Sequence, residues 1–209
     1  MADREPAPLA AVPAQDDAAG VAFAEIRITR AWNLRGDLGR GTLAAESQAL
    51  FGVQIPLQPG TSTYGAGGAM LWLGPRSWLW VAGTDAPAPD FDAARRARNA
   101  AGGALFDLSA SYVAREIRGE AAARVLNRGC PLDFHSRVFS PGHCAQSVFG
   151  HINALFYRPD ERPAYIVMVA RSIAADAWHD LWSAAMPERP RVAPAFAFGA
   201  APDAGSDRT

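Results

Sequence analysis

The side chains best equipped for chemistry crowd into one stretch, NRGCPLDFHSRVFSPGHCAQ at 127–146. It holds both cysteines, Cys130 and Cys144, and two of the four histidines, His135 and His143. Thiolate and imidazole together can hold zinc or form a nucleophile–base couple. Zinc pairs are commonly spaced C-x2–4-C or H-x3–5-H. Here four residues separate Cys130 from His135, and His143 is adjacent to Cys144. Adjacent residues on a strand point to opposite faces, which argues against that pair closing on one ion. A Cys144–His135 or Cys130–His143 couple needs a lowered thiol pKa and a third orienting group. A free cysteine more commonly packs as a small hydrophobe.

The remaining candidates are isolated. His151 and His179 stand alone, and Asp107, Asp133 and Glu116 have the chemistry of general bases but no visible partner. Asp107, followed by Leu108-Ser109, reads as a turn former at a strand end. Gly65-Ala66-Gly67-Gly68 departs from G-x-G-x-x-G and precedes a strand, so dinucleotide binding has no support there. All 20 basic residues are arginine. Without lysine, Schiff-base chemistry and a GxxxxGK[ST] phosphate loop are excluded.

The elements that must position these residues belong to a chain of ordinary globular composition, 49% apolar and 20% charged over 209 residues. A formal net charge of −1 carries no footprint for nucleic acid or an anionic membrane. The longest apolar runs, Ala164–Ala170 and Trp78–Ala82, are strand-length. The acid- and proline-bearing N-terminus lacks a signal-peptide core, and two cysteines make no disulfide framework, so a cytoplasmic protein with reduced thiols is expected. Residues 1–20 and 187–209 read as disordered or flexible tails, the second containing PAFAF at 194–198 as a stretch able to dock.

Between the tails, strands are expected at Phe23–Arg30, Ala69–Leu73, Trp78–Ala82, Leu105–Leu108, Tyr112–Arg118, Cys144–Phe149, Ile152–Tyr157 and Tyr165–Val169. Helices are expected at Thr42–Leu50, Asp90–Ala101, Glu120–Arg128 and from a Ser172 cap to Ala185. Gln58–Gly68 reads as a loop and Arg158–Pro163 as an exposed turn. Trp72, Trp78 and Trp80 gather in one hairpin, with core the favoured reading over a sticky face. The interleaving lacks βαβ regularity, so the fold class is α+β: two small lobes, about 21–103 and 104–186, of mostly antiparallel sheet with helices packed on one face.

The central stretch resembles the hallmark segment of the gamma subunit of heterotetrameric sarcosine oxidase, G-C-P-x-D-x-H, then a phenylalanine, then C-A-Q-[ST]. It falls on Gly129, Cys130, Pro131, Asp133, His135, Phe139, Cys144, Ala145, Gln146 and Ser147. Leu73-Gly74-Pro75 with Trp78, Asp107-Leu108-Ser109, and Arg171-Ser172 resemble three further motifs of that family, in order. The likeness spans about Phe23 to Ala185; Arg76-Ser77 replaces a usual acidic pair, and the tail is longer. The family in turn resembles the folate-binding domain of glycine-cleavage aminomethyltransferases.

The resemblance implies a complex that oxidises sarcosine to glycine, reduces oxygen to peroxide and passes the one-carbon unit to tetrahydrofolate. It implies FAD, FMN, NAD and tetrahydrofolate on the larger alpha and beta chains, zinc on the small delta chain, and no catalytic, cofactor or metal residue in this one. Phe134, His135, Arg137 and Phe139 are then the candidate partner-facing residues, since aromatic and arginine anchors dominate interfaces. The competing reading has Phe134 and Phe139 wedging the loop against the helix at 120–128. Two alternatives are a stand-alone folate binder using Asp133 or Glu116, and a metal-dependent switch on the Cys/His pairs.

Overall fold

In a computed structural model, residues 20–199 are described, apart from 41, 42, 85, 87 and 88. The expected N-terminal tail at 1–19, the end of the C-terminal tail and the Thr42 helix start lie outside the described residues.

Among the described residues, eleven strands form two sheets. Strands β1 (Ala22–Arg27), β7 (Tyr112–Arg118), β8 (Cys144–Phe149), β9 (Ile152–Tyr157), β10 (Ala164–Ala170) and β11 (Arg191–Ala197) make a six-stranded sheet in the order β11-β1-β7-β10-β9-β8. Strands β2 (Ala31–Arg35), β3 (Ser62–Gly65), β4 (Gly68–Gly74), β5 (Ser77–Ala82) and β6 (Ala104–Asp107) make a five-stranded sheet in the order β3-β4-β5-β2-β6. Every pairing is antiparallel except β1 with β11.

Side-chain alternation builds four layers from these sheets. Leu79 and Val81 of β5 and Ala69 and Leu71 of β4 face Leu155, Tyr157, Ile166 and Met168 of the other sheet, forming a central apolar layer. On the far side of the five-stranded sheet, Trp32, Trp78 and Trp80 pack under α1 (Leu43–Phe51) and α2 (Phe91–Ala100). On the far side of the six-stranded sheet, Phe23, Ile117, Phe156 and Val167 pack under α3 (Ala122–Gly129) and α4 (Ala174–Ala185). Each sheet therefore carries its helices on one face. Trp78 and Trp80 are fully buried, and their indole N–H groups donate to the Pro56 and Gly67 carbonyls at 3.0 and 2.9 Å. Trp78 and Trp80 are core, while Trp72 of the same hairpin is half-buried against both apolar layers.

Several local expectations shift. The stretch at 23–30 ends at Arg27, and Ala31–Arg35 is a separate strand of the other sheet. β1 thus pairs into the sheet built from the C-terminal half, and β6 into the five-stranded sheet. β3 forms inside the expected Gly-rich loop, where a Cβ on Gly67 would meet the Phe51 carbonyl oxygen. That glycine run lets the hairpin press on the end of α1. Ser172 does not cap α4. It sits in a 3-10 turn, Arg171–Ile173, held by Arg171 donating to the Ala110 and Tyr112 carbonyls at 2.8 and 3.3 Å.

The expected flexible tail from 187 is corrected most. Arg191–Ala197 pairs with β1, and Phe198 is buried, its ring stacked on Tyr157 at 6.4 Å. The PAFAF stretch docks on the protein's own central layer, because β1 offers an open edge and the gap between the sheets accepts a ring.

Just before β11, Glu188 receives Arg124 at 3.0 and 2.8 Å and Arg128 at 2.5 Å. These hydrogen bonds from Arg124 and Arg128 hold the Glu188 carboxyl down at about 2. A carboxylate depressed in the folded state contributes stability above its unfolded pKa and loses it as pH falls through the folded value. Glu188→Gln is therefore expected to lower the urea midpoint at neutral pH, with the difference from wild type shrinking between about pH 4.5 and pH 2. A pH-independent difference would disprove the assignment.

Candidate functional site: the arch between α3 and β8

Residues 130–143 leave the end of α3, arch over the six-stranded sheet and enter β8 at Cys144. Proline and glycine forbid a regular element here, so the arch is held by specific bonds. From below, Arg158, only 3% exposed, donates to the Phe139 carbonyl at 2.9 Å and the Ser136 carbonyl at 3.3 Å. The same guanidinium reaches the Asp160 and Glu161 carbonyls and lies 5.7 Å from the Tyr165 ring. The Tyr165 hydroxyl donates to the Phe134 carbonyl at 2.6 Å, and the Asn127 side-chain oxygen accepts from Phe134 N–H at 3.0 Å. Within the arch, Asp133 Oδ1 accepts from His135 N–H at 2.8 Å, and His135 Nδ1 accepts from Arg137 N–H at 3.3 Å.

These bonds place the four candidate residues in two groups. Phe134 and Phe139 point inward, 0% and 6% exposed. The Phe134 ring meets Phe139, Phe156 and Tyr165 at 5.1, 5.0 and 5.5 Å. Their assignment as partner-facing is thus corrected: both lie in the apolar layer with Val125 and Leu126 of α3, which is the wedge reading. His135 and Arg137 point outward and are exposed, beside Val138 at 54% exposure.

The thiols do not meet. Cys130 is buried among the residues under α3, while Cys144 is buried in the central layer on the opposite face of the sheet. The Cys144 thiol lies 3.2 Å from the Thr61 carbonyl and 3.5 Å from the Trp72 carbonyl. Burial pushes it up to about 11, only partly offset by the bond at Trp72, the reverse of what a nucleophile needs. Among the described residues, no three His, Cys, Asp or Glu side chains converge as metal ligands. His151 and His179 are exposed.

The other acids have structural partners. Asp107 Oδ1 accepts from Ser109 N–H at 2.9 Å and its hydroxyl at 2.5 Å, and Ser109 Oγ accepts from Ala31 N–H at 3.0 Å. Glu116, only 1% exposed, is not partnerless as the sequence suggested: Arg118 lies at 3.2 Å and Arg162 at 3.5 Å. Burial raises its carboxyl above the usual range, with Arg162 and Arg118 pulling the other way. One cavity of about 290 Å³ opens between α1 and α2, lined by Leu34, Leu43, Phe51, Ala94 and Leu105 and bridged by the Arg98–Glu46 ion pair. Its apolar walls do not suit a polar pterin ring.

Sequence reading missed Arg158, Tyr165 and Asn127. Arg158 opens a proline-rich stretch that reads as solvent turn, and only its carbonyl acceptors, 19 and 22 residues away for Phe139 and Ser136, reveal the role. The motif residues themselves meet at the seam between the sheets. Gln146 donates to the Leu73 carbonyl at 2.8 Å, and Cys144 N–H to the Gly60 carbonyl at 2.9 Å.

No family model matches the chain. It is 34% identical over 162 residues to the sarcosine oxidase subunit gamma of Corynebacterium sp. (strain P-1), covering 76% of this chain and 78% of that protein. It is also 34% identical over 146 residues to the subunit gamma of Corynebacterium sp. (strain U-96), covering 68% of each. This chain belongs to the sarcosine oxidase gamma-subunit family. The motif resemblance is borne out. The fold is also found in a chain of a solved structure, heterotetrameric sarcosine oxidase from Corynebacterium sp. U-96 in complex with pyrrole 2-carboxylate. There the TM-score is 0.71 at 29% identity, covering 87% of this chain and 86% of that one. The glycine cleavage system aminomethyltransferase T of Bartonella henselae matches with a TM-score of 0.53 at 12% identity, covering 85% of this chain and 48% of that one, a likeness of fold alone. Among the described residues, no helix is long and apolar enough to cross a membrane.

Proposed function

We propose that this chain is the non-catalytic gamma subunit of a heterotetrameric sarcosine oxidase, joined to alpha, beta and delta subunits that carry the flavins, NAD, tetrahydrofolate and zinc. The complex would demethylate sarcosine to glycine oxidatively in the cytoplasm, yielding hydrogen peroxide and a folate-bound one-carbon unit. The carrying observation is the inward use of the chemistry-bearing groups. Cys130 and Cys144 are buried in separate layers, Asp107 closes a turn, and Glu116 is held by two arginines. What the arch turns outward is His135, Arg137 and Val138, a surface fit for docking.

Co-expression with the other three subunits tests this reading. The chain is expected to co-purify in stoichiometric amount with sarcosine-oxidising activity, and alone to neither consume sarcosine nor bind tetrahydrofolate. Micromolar tetrahydrofolate binding by the lone chain would favour the folate-binder reading, and failure to co-purify would refute the subunit reading.

A further inference from the structure

The arch is locked on its inner side, and on its outer side, among the described residues, the Arg137 head meets no partner. Four hydrogen bonds fix its backbone from the inner side, Arg158 to two carbonyls and Tyr165 and Asn127 to Phe134, and an exposed bond from His135 N–H to Asp133 adds a fifth. The outward side chains do the opposite. The Arg137 guanidinium has no hydrogen bond or ion pair among the described residues. His135 uses Nδ1 as an acceptor from Arg137 N–H, so the ring proton sits on Nε2, directed away from that bond. Val138 leaves an aliphatic side chain 54% exposed beside them. A loop ordered without its outer side chains has already met its ordering cost, which is the condition for tight docking.

We propose that this face is a preformed recognition surface for a carboxylate-bearing segment of one larger subunit, with Arg137 as its charged anchor. The inference rests on the subunit reading above. The outward groups at 135 and 137 are donors, so a complementary partner supplies acceptors: a carboxylate that takes the planar guanidinium fork, and an oxygen opposite His135 Nε2. An apolar side chain of the partner covers Val138. Asp133 is the one acid of the arch near these groups, and its Oδ1 is engaged by His135 N–H.

The test compares wild type with Arg137→Glu, Arg137→Lys and Arg96→Glu, each co-expressed with the other subunits. Association is followed by native mass spectrometry across a salt series. Thermal melting of each lone chain checks the fold. Arg96, on α2 of the other lobe, is exposed and serves as the control. Arg137→Glu is expected to weaken assembly at least about tenfold and to flatten its salt dependence, with lone-chain melting unchanged. Arg137→Lys should retain part of the affinity, and Arg96→Glu all of it. Assembly of Arg137→Glu as tight as wild type overturns the proposal while leaving the subunit reading standing. Failure of wild type to assemble overturns both.

Discussion

Phe134→Ala is expected to lower the stability of the isolated chain by about 3–5 kcal/mol, the range for truncating a buried phenylalanine. The ring is fully buried and touches three other aromatic rings, so its loss leaves a cavity that the surrounding β-strands cannot close. The carbonyl of the same residue accepts from Tyr165, so a local collapse would also disturb the arch. An interface residue would behave differently: its truncation would barely move the lone chain and would weaken only the complex. Urea unfolding of the purified chain separates the two, and a midpoint within experimental error of wild type would return Phe134 to the interface. Against a total of about 5–15 kcal/mol for a domain, the expected loss is a large fraction.

A chain ending at Pro190 is expected not to fold. The truncation removes β11 and with it the backbone pairing of Ala22, Phe23, Ala24, Ile26 and Arg27. It also removes Phe198, which is 3% exposed and covers Tyr157. Losing that ring alone costs about 3–5 kcal/mol. The exposed edge of β1 then becomes a template for aggregation. Burial pushes the Tyr157 hydroxyl up to about 12, so its titration reports the cover directly. In the single variant Phe198→Ala, ultraviolet titration should show Tyr157 ionising at lower pH, because water reaches a group that burial had shielded. A truncated chain that melts cooperatively near the wild-type temperature would show that β11 is dispensable.

How far the arch was legible differs by residue. That 130–143 would be irregular follows from Pro131, Pro141, Gly129 and Gly142, because proline and glycine act on the backbone locally. That Phe134 and Phe139 would face inward while His135 and Arg137 face outward was not legible, since an irregular segment has no period from which to read a face. Arg158 was hidden for a related reason. A buried arginine is rare, and its burial depends on carbonyls that the arch brings together from far along the chain.

Short, near-continuous apolar runs in β4, β5, β9 and β10 marked them as buried strands, and an acid at the start of α2 marked that helix. The family was legible only as a resemblance of the motif residues between Gly129 and Ser147. These properties are carried by neighbours within a few residues, whose steric and hydrogen-bonding preferences act before any distant contact forms. The tertiary structure alone decided that β1 leaves its sequence neighbours for the other sheet, that residues 191–198 close the molecule, and that the two thiols lie on opposite faces of one sheet. Each of those outcomes is a choice among distant partners of similar chemistry, and it is settled by which arrangement buries the most apolar surface while leaving no backbone group unpaired.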